Sequence, residues 1–136
     1  MKLFITLITA SILLLSQPVS ANFAVESLLD VYRYTGAGPF SADAGQYMWT
    51  EIHNNAQIPI ERRCSSCHTN NLNNTGKHIK TKKLIKAMAP TVNAKRLTDT
   101  KKIEKWFMRN CKWTLGRECS AQEKGDFLLY IQKSGV

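Results

Sequence analysis

Residues 62–71 read RRCSSCHTNN. Cys64 and Cys67 are separated by two residues, and His68 follows the second directly. Thiols at this spacing suit one chemistry closely. Each can add to a vinyl group of haem to give a thioether, and two such bonds fix the ring edge-on to the chain. The next residue then stands over the iron, and imidazole is a good iron ligand. The pattern predicts one covalent haem c on Cys64 and Cys67, with His68 as an axial iron ligand. Other uses of paired cysteines fit less well. A tetrahedral zinc site wants a second Cys or His pair, and Cys111 and Cys119 lack the usual knuckle spacing. A redox dithiol sits between a strand and a helix, and no βαβ pattern is legible. A plain Cys64–Cys67 disulfide is a rarer use of the spacing.

The context of the motif supports this reading. Lys2 gives a short positive start, Leu3 to Leu15 are almost wholly apolar, and Ser16-Gln17-Pro18 breaks the run before the small residues Val19-Ser20-Ala21. This is the pattern of a secretory signal. It predicts residues 1–21 as a signal peptide cleaved after Ala21, residues 22–136 as one domain, and a periplasmic location. A retained N-terminal anchor is the alternative. The apolar run is too short to span a bilayer comfortably and no later segment could, so no stable membrane insertion is expected. Removing Lys2 with the signal leaves 18 Lys and Arg against 10 acids, a net charge of +8. Such a charge suits an acidic protein, an anionic membrane surface or nucleic acid, and export argues against nucleic acid.

The apolar spacing predicts helices and no strands. Phe23 to Tyr34 places Val25, Leu28, Leu29 and Tyr32 on one face, and Gly36-Ala37-Gly38-Pro39 should end that helix. Ser41 can cap a second helix through about His53, burying Tyr47 and Met48. Asn54 to Arg63 and Thr69 to Lys83 read as polar loop. Thr98 or Asp99 opens a helix with Ile103, Trp106 and Phe107 on one side. Ser120-Ala121-Gln122-Glu123 is a capping box for a last helix that turns Phe127, Leu128 and Ile131 inward. The class is all-α with long loops, and so much irregular chain needs something to pack around. A large apolar cofactor would supply it.

The opposite face of the iron is less legible. Met48, Met88, Met108, His53 and His78 are all candidates. Spacing alone favours Met108, although a core methionine beside Trp106 and Phe107 is the commoner arrangement. His53 and His78 sit in polar surroundings and read as solvated side chains. An ordinary electron-transfer cytochrome with a Met ligand therefore stands as one reading.

Three stretches point elsewhere. CSSCH (64–68), LTDTKKIEKWFMRNC (97–111) and GRECSAQEKGDFLLYIQ (116–132) together resemble the Sphaeroides haem protein (SHP) family, oxygen-binding cytochromes c of class I-like fold. The resemblance covers about residues 24 to 133. Its most specific part is Arg109-Asn110-Cys111 followed by Gly116-Arg117-Glu118-Cys119. The resemblance implies Asn110 as sixth iron ligand, a Cys111–Cys119 disulfide, binding of O2, NO or CO, and a dihaem cytochrome c as electron donor. An amide oxygen is a weak, hard donor that suits ferric better than ferrous iron, so reduction should release it. Turnover, as O2 reduction or NO oxidation, is chemically open to such a haem; a gas sensor or scavenger without catalysis is the other possibility. Lys77, Lys80, Lys82, Lys83 and Lys86 read as a solvated face or as a docking patch for an acidic redox partner. Trp49, Trp106 and Trp113 read as core or haem-packing residues, with Trp113 three residues from Asn110.

Overall fold

The computed structural model describes the backbone of residues 19–55 and 58–134 and the side chains of 23–54 and 61–134. Residues 1–18, which hold most of the expected signal peptide, lie outside them. The first helix, α1, runs Val19–Tyr34 and so includes the three residues before the expected cleavage point. Its buried face is Ala24, Val25, Leu28, Leu29 and Tyr32, the stripe that the 3.6-residue period demands. Among the described residues, no helix is long and apolar enough to cross a membrane.

Helix α2 spans Ala42–Thr50, with the Ser41 side chain accepting from the Ala44 amide at 3.2 Å. It is shorter than expected, and it buries a different face. Tyr47 is 66% exposed and Met48 half-buried, whereas Gly45 and Trp49 are buried. The cause is backbone proximity. A methyl group placed on Gly45 would lie 2.2 Å from the Asp126 carbonyl oxygen and 2.9 Å from Tyr130 Cβ. Gly45 therefore lets α2 lie directly on the last helix, α5 (Ala121–Lys133). One turn later Trp49 falls on the same side. Hydrophobicity favoured Tyr47, but the absence of a side chain at residue 45 sets the face.

Two short antiparallel hairpins correct the strand-free expectation. β1 (His53–Asn55) pairs with β2 (Ile58–Arg62), and β3 (Gly76–Lys77) pairs with β4 (Leu84–Ile85). They are too short to show alternation in sequence. Between them lies the single-turn helix α3 (Ser65–His68), and after them α4 (Thr100–Thr114). Asp99 caps α4 by accepting from the Lys102 amide at 3.0 Å. The capping box at Ser120 and Glu123 is present as expected.

The core joins α1, α4 and α5 with Trp49, Leu72, Ala89 and Leu97. A polar tie crosses the same three helices. Tyr32 Oη donates to Glu104 Oε1, and Lys124 Nζ reaches Glu104 Oε2 at 2.6 Å. Burial, then the Glu104 carboxylate, pushes the Tyr32 phenol well above its ordinary range, so this hydroxyl stays a donor. The contact at Gly45 makes a direct prediction. Gly45→Val should lower stability by about 1–3 kcal/mol or more through overpacking, seen as a lower urea midpoint of the holoprotein. An unchanged midpoint would show that α2 and α5 do not approach this closely.

Candidate haem-binding site

The turn of α3 explains the spacing of the motif. The Cys64 carbonyl accepts from the Cys67 and His68 amides at 3.3 and 3.1 Å. In helical geometry positions i, i+3 and i+4 share one face, so Cys64, Cys67 and His68 present together. Two contacts from outside hold the turn. Trp49 Nε1 donates to the Thr69 carbonyl at 2.9 Å, and the Trp49 ring lies 5.5 Å from the His68 ring. On the other side, β3 crosses so closely that a Cβ on Gly76 would meet the Cys67 carbonyl oxygen at 2.1 Å. Only glycine fits there.

Cys64 and Cys67 are free thiols. Burial pushes the Cys64 thiol up to about 12, so it is a neutral group rather than a thiolate. Burial, with the Arg96 guanidinium and then the His78 ring nearby, holds His68 down at about 4. Its imidazole is therefore neutral near pH 7 and keeps a lone pair to offer a metal. His68 Nδ1 is buried with no hydrogen-bond partner. Among the described residues there is no group of three or more His, Cys, Asp or Glu that could hold a bare metal ion. Two free thiols beside a neutral imidazole on one face fit a covalent haem.

Helix α4 uses two faces. Ile103, Cys111 and Thr114 are buried and Phe107 packs on the core, 6.3 Å from the Phe127 ring. Trp106, Asn110 and Trp113 recur at i, i+4 and i+7 and form a second stripe. Trp106 is 44% exposed, so it belongs to this stripe and not to the expected core side. Trp113 ties the stripe to the motif. The Arg62 guanidinium lies 3.7 Å over its ring and the His78 ring 6.2 Å away. Arg62 is two residues before Cys64 and donates through Nη1 to the Trp113 carbonyl.

The other iron-ligand candidates are placed as follows. Met108 is 47% exposed, not a core residue, and stands about 200° around α4 from Asn110 at ~100° per residue. Met48 and Met88 are half-buried and pack on the core. His53 and His78 are not simply solvated. A His53 ring nitrogen lies 3.1 Å from the Met48 carbonyl. His78 Nδ1 accepts from the Lys80 and Thr81 amides at 3.2 and 3.1 Å, which places its proton on Nε2 and makes that nitrogen a donor. The patterns missed Arg62 and Gly76. Arg62 sat in a stretch read as polar loop, and Gly76 carried no signal beyond being a glycine in a polar run.

The segment after Asn110 is pinned at both ends. Cys111 and Cys119 are disulfide-bonded, with Cα atoms 5.5 Å apart. Arg117 forms a two-pronged pair with Glu123, at 2.8 and 2.6 Å. Lys77, Lys80, Lys82, Lys83 and Lys86 are all exposed, and none forms an ion pair among the described residues. Leu84, 77% exposed, lies among them in β4, paired with Lys77.

Comparison with known proteins gives a consistent picture. Residues 35–131 match the family described as "Domain of unknown function (DUF1924)". Cytochrome c'' of Methylophilus methylotrophus is 49% identical over 71 residues, a stretch covering 52% of this chain and 49% of that relative, so this match spans about half of the relative's length. Its oxidised crystal structure superposes with a TM-score of 0.74 at 32% identity, covering 88% of this chain and 98% of that one. The cytochrome c-type protein SHP of Cereibacter sphaeroides is 27% identical over 121 residues, covering 89% of this chain and 92% of the relative. The structure of oxidised SHP, described as an oxygen binding cytochrome c, gives a TM-score of 0.70 at 28% identity, covering 79% and 94% of the two chains.

The Arg117–Glu123 pair sets an acid limit on the segment behind Asn110. The Arg117 guanidinium holds the Glu123 carboxyl down at about 2, against an ordinary value of 4.5, with the Ser120 amide adding to the effect. A depressed carboxyl stabilises the fold above the unfolded value and loses that contribution as pH falls through the folded one. Stability should therefore decline between about pH 4.5 and pH 2, and Glu123→Gln should flatten this decline in thermal melts across that range. A decline of equal slope in the variant would remove the pair from the account.

Proposed function

The chain belongs to the DUF1924 family and is a c-type cytochrome of the kind that includes SHP and cytochrome c'', with a mainly helical, class I-like fold and one covalent haem c; on that premise we propose that it is a periplasmic protein that accepts electrons from a partner cytochrome and binds O2 or NO when reduced. Cys64 and Cys67 hold the haem through thioethers, and His68 supplies the proximal ligand. Haem c brings a one-electron couple and, in the ferrous form, affinity for diatomic gases. The observation that carries the reading is the second stripe of α4. Asn110 stands on it between Trp106 and Trp113, and Trp113 is in contact with Arg62 beside the cysteine motif.

Asn110 closes the distal side in the oxidised protein through its side-chain oxygen. The amide is a weak neutral ligand that suits ferric iron, so reduction releases it. Once free, its NH2 group can donate to a bound diatomic. The Cys111–Cys119 bridge begins at the next residue and limits how far Asn110 can travel. Constraining so short a loop contributes roughly 2.5 kcal/mol on the chain-entropy account. SHP, described as oxygen binding, is the relative whose chemistry this reading carries over. An iron ligand at Met108 would require turning α4 by nearly half a revolution, about 160°, which would expose Ile103 and Cys111.

The lysine run 77–86 is the proposed docking face for an acidic redox partner such as a dihaem cytochrome c. The exposed Leu84 pairs with Lys77 across a hairpin whose first residue, Gly76, touches the haem motif, and the other four lysines are exposed within the same stretch of chain. Such a surface gives fast, salt-dependent association.

Three outcomes test these assignments. After denaturation in acid acetone the haem should stay on the polypeptide; extraction of the haem would refute attachment at Cys64 and Cys67. Asn110→Ala should change the ferric spectrum and speed binding of external ligands, while Met108→Ala should leave the spectra alone and cost no more than about 0.5 kcal/mol as an exposed substitution. The reverse pattern would make Met108 the ligand and the protein an ordinary electron carrier. Finally, the Lys82→Glu, Lys83→Glu double variant should slow electron transfer through the association rate. An unchanged rate at low ionic strength would leave the lysines a merely solvated face.

A further inference from the structure

Arg62 is the largest fully buried side chain among the described residues, only 1% exposed. Its Nη1 donates to the Trp113 carbonyl and its plane stacks on the Trp113 ring, but its Nε is buried with no hydrogen-bond partner. All ten acidic residues of the chain are described, and the ion pairs they form go to Arg33, Lys112, Arg117 and Lys124, never to Arg62. A guanidinium cannot shed its charge by deprotonating. Buried charges are paired, because desolvation without a counter-ion is costly. The carbonyl and the indole ring account for one N–H and one face of the group. They leave the positive charge without an anion among the described residues.

We propose that Arg62 is the counter-cation of a haem propionate, its Nε–H donating to the carboxylate while Trp113 holds the guanidinium plane. The position suits the role: Arg62 ends β2 two residues before Cys64, so the backbone that carries the thioethers also carries the charge. A planar fork is the side chain best matched to a carboxylate. The site would take a carboxylate attached to the ring, and it would raise the reduction potential by offsetting negative charge near the iron. This inference rests on covalent haem at Cys64 and Cys67. If denaturation strips the haem, both ideas fall; if the haem stays, the measurements below test Arg62 alone.

The holoprotein, its Arg62→Met variant and its Arg62→Lys variant supply the test. At mildly alkaline pH, where a propionate stays ionised, Arg62→Met should lower the reduced-to-oxidised ratio at fixed potential by roughly tenfold, about 59 mV for a one-electron couple. Arg62→Lys should recover much of that shift, because it restores the charge without the fork. The propionate bending band in the resonance Raman spectrum should move on Arg62→Met, with unchanged covalent haem content. A structural brace between β2 and α4 would weaken the fold but move neither the potential nor the band. If the Met variant fails to fold, wild-type protein still decides the matter. Its propionate band should differ from that of a haem peptide released by proteolysis. An unshifted potential in Arg62→Met, or identical bands in native protein and haem peptide, would overturn the proposal.

Discussion

Cys64, Cys67 and His68 share one face only because residues 64–68 make a turn of helix, and a single turn is not stable alone. The turn is held by what touches it. The Trp49 indole donates to the carbonyl just past His68, and Gly76 lets a strand lie against the Cys67 carbonyl. Trp49 is in turn fixed by the approach of α2 to α5 at Gly45, where a backbone carbonyl leaves no room for a side chain. The two glycines are therefore the points through which the helical core dictates the geometry of the haem motif. Losing either contact would tilt the turn and scatter the three functional side chains.

The distal side depends on α4 serving two surfaces at once. Ile103, Phe107, Cys111 and Thr114 face the core, while Trp106, Asn110 and Trp113 form the stripe assigned to the haem. The disulfide starts on the core face at Cys111, one residue after Asn110, so the bridge anchors the helix end without occupying the second face. Beyond it, the Arg117–Glu123 pair and the capping box fasten the returning chain to α5. A weak ligand on a firmly held helix end can leave the iron without the fold having to open. That combination suits a protein whose coordination changes with its redox state.

Much of this was legible in the sequence because it follows from local rules. The apolar faces of α1 and α5, the Ser41 and Ser120 caps and the cysteine motif need only neighbours a few residues away. The face of α2 was misread because Tyr47 is more hydrophobic than Gly45, while the packing there turns on a close backbone approach that composition does not display. The hairpins were missed because strands of two to five residues show no period. Arg62 looked like one more basic residue of a polar loop; only its burial against Trp113, 51 positions away, reveals its isolation from any acid. Met108 was expected to pack in the core beside Phe107, yet it is 47% exposed, because the buried stripe of α4 runs through Ile103, Phe107, Cys111 and Thr114 and leaves residue 108 at its edge. Asn110 offered no signal of its own as a ligand. Resemblance supplied it; the structure puts the residue between Trp106 and Trp113 on the outer stripe of α4.

The central claim is that Asn110 closes the iron in the oxidised protein and leaves it on reduction. X-ray absorption at the iron edge of the wild-type holoprotein, recorded in both redox states, tests it most directly. The account predicts a six-coordinate ferric centre with only nitrogen and oxygen donors, and a five-coordinate ferrous centre that regains a sixth ligand when NO or CO is added. A sulfur donor in either state, or a ferrous centre that stays six-coordinate without added gas, would contradict it.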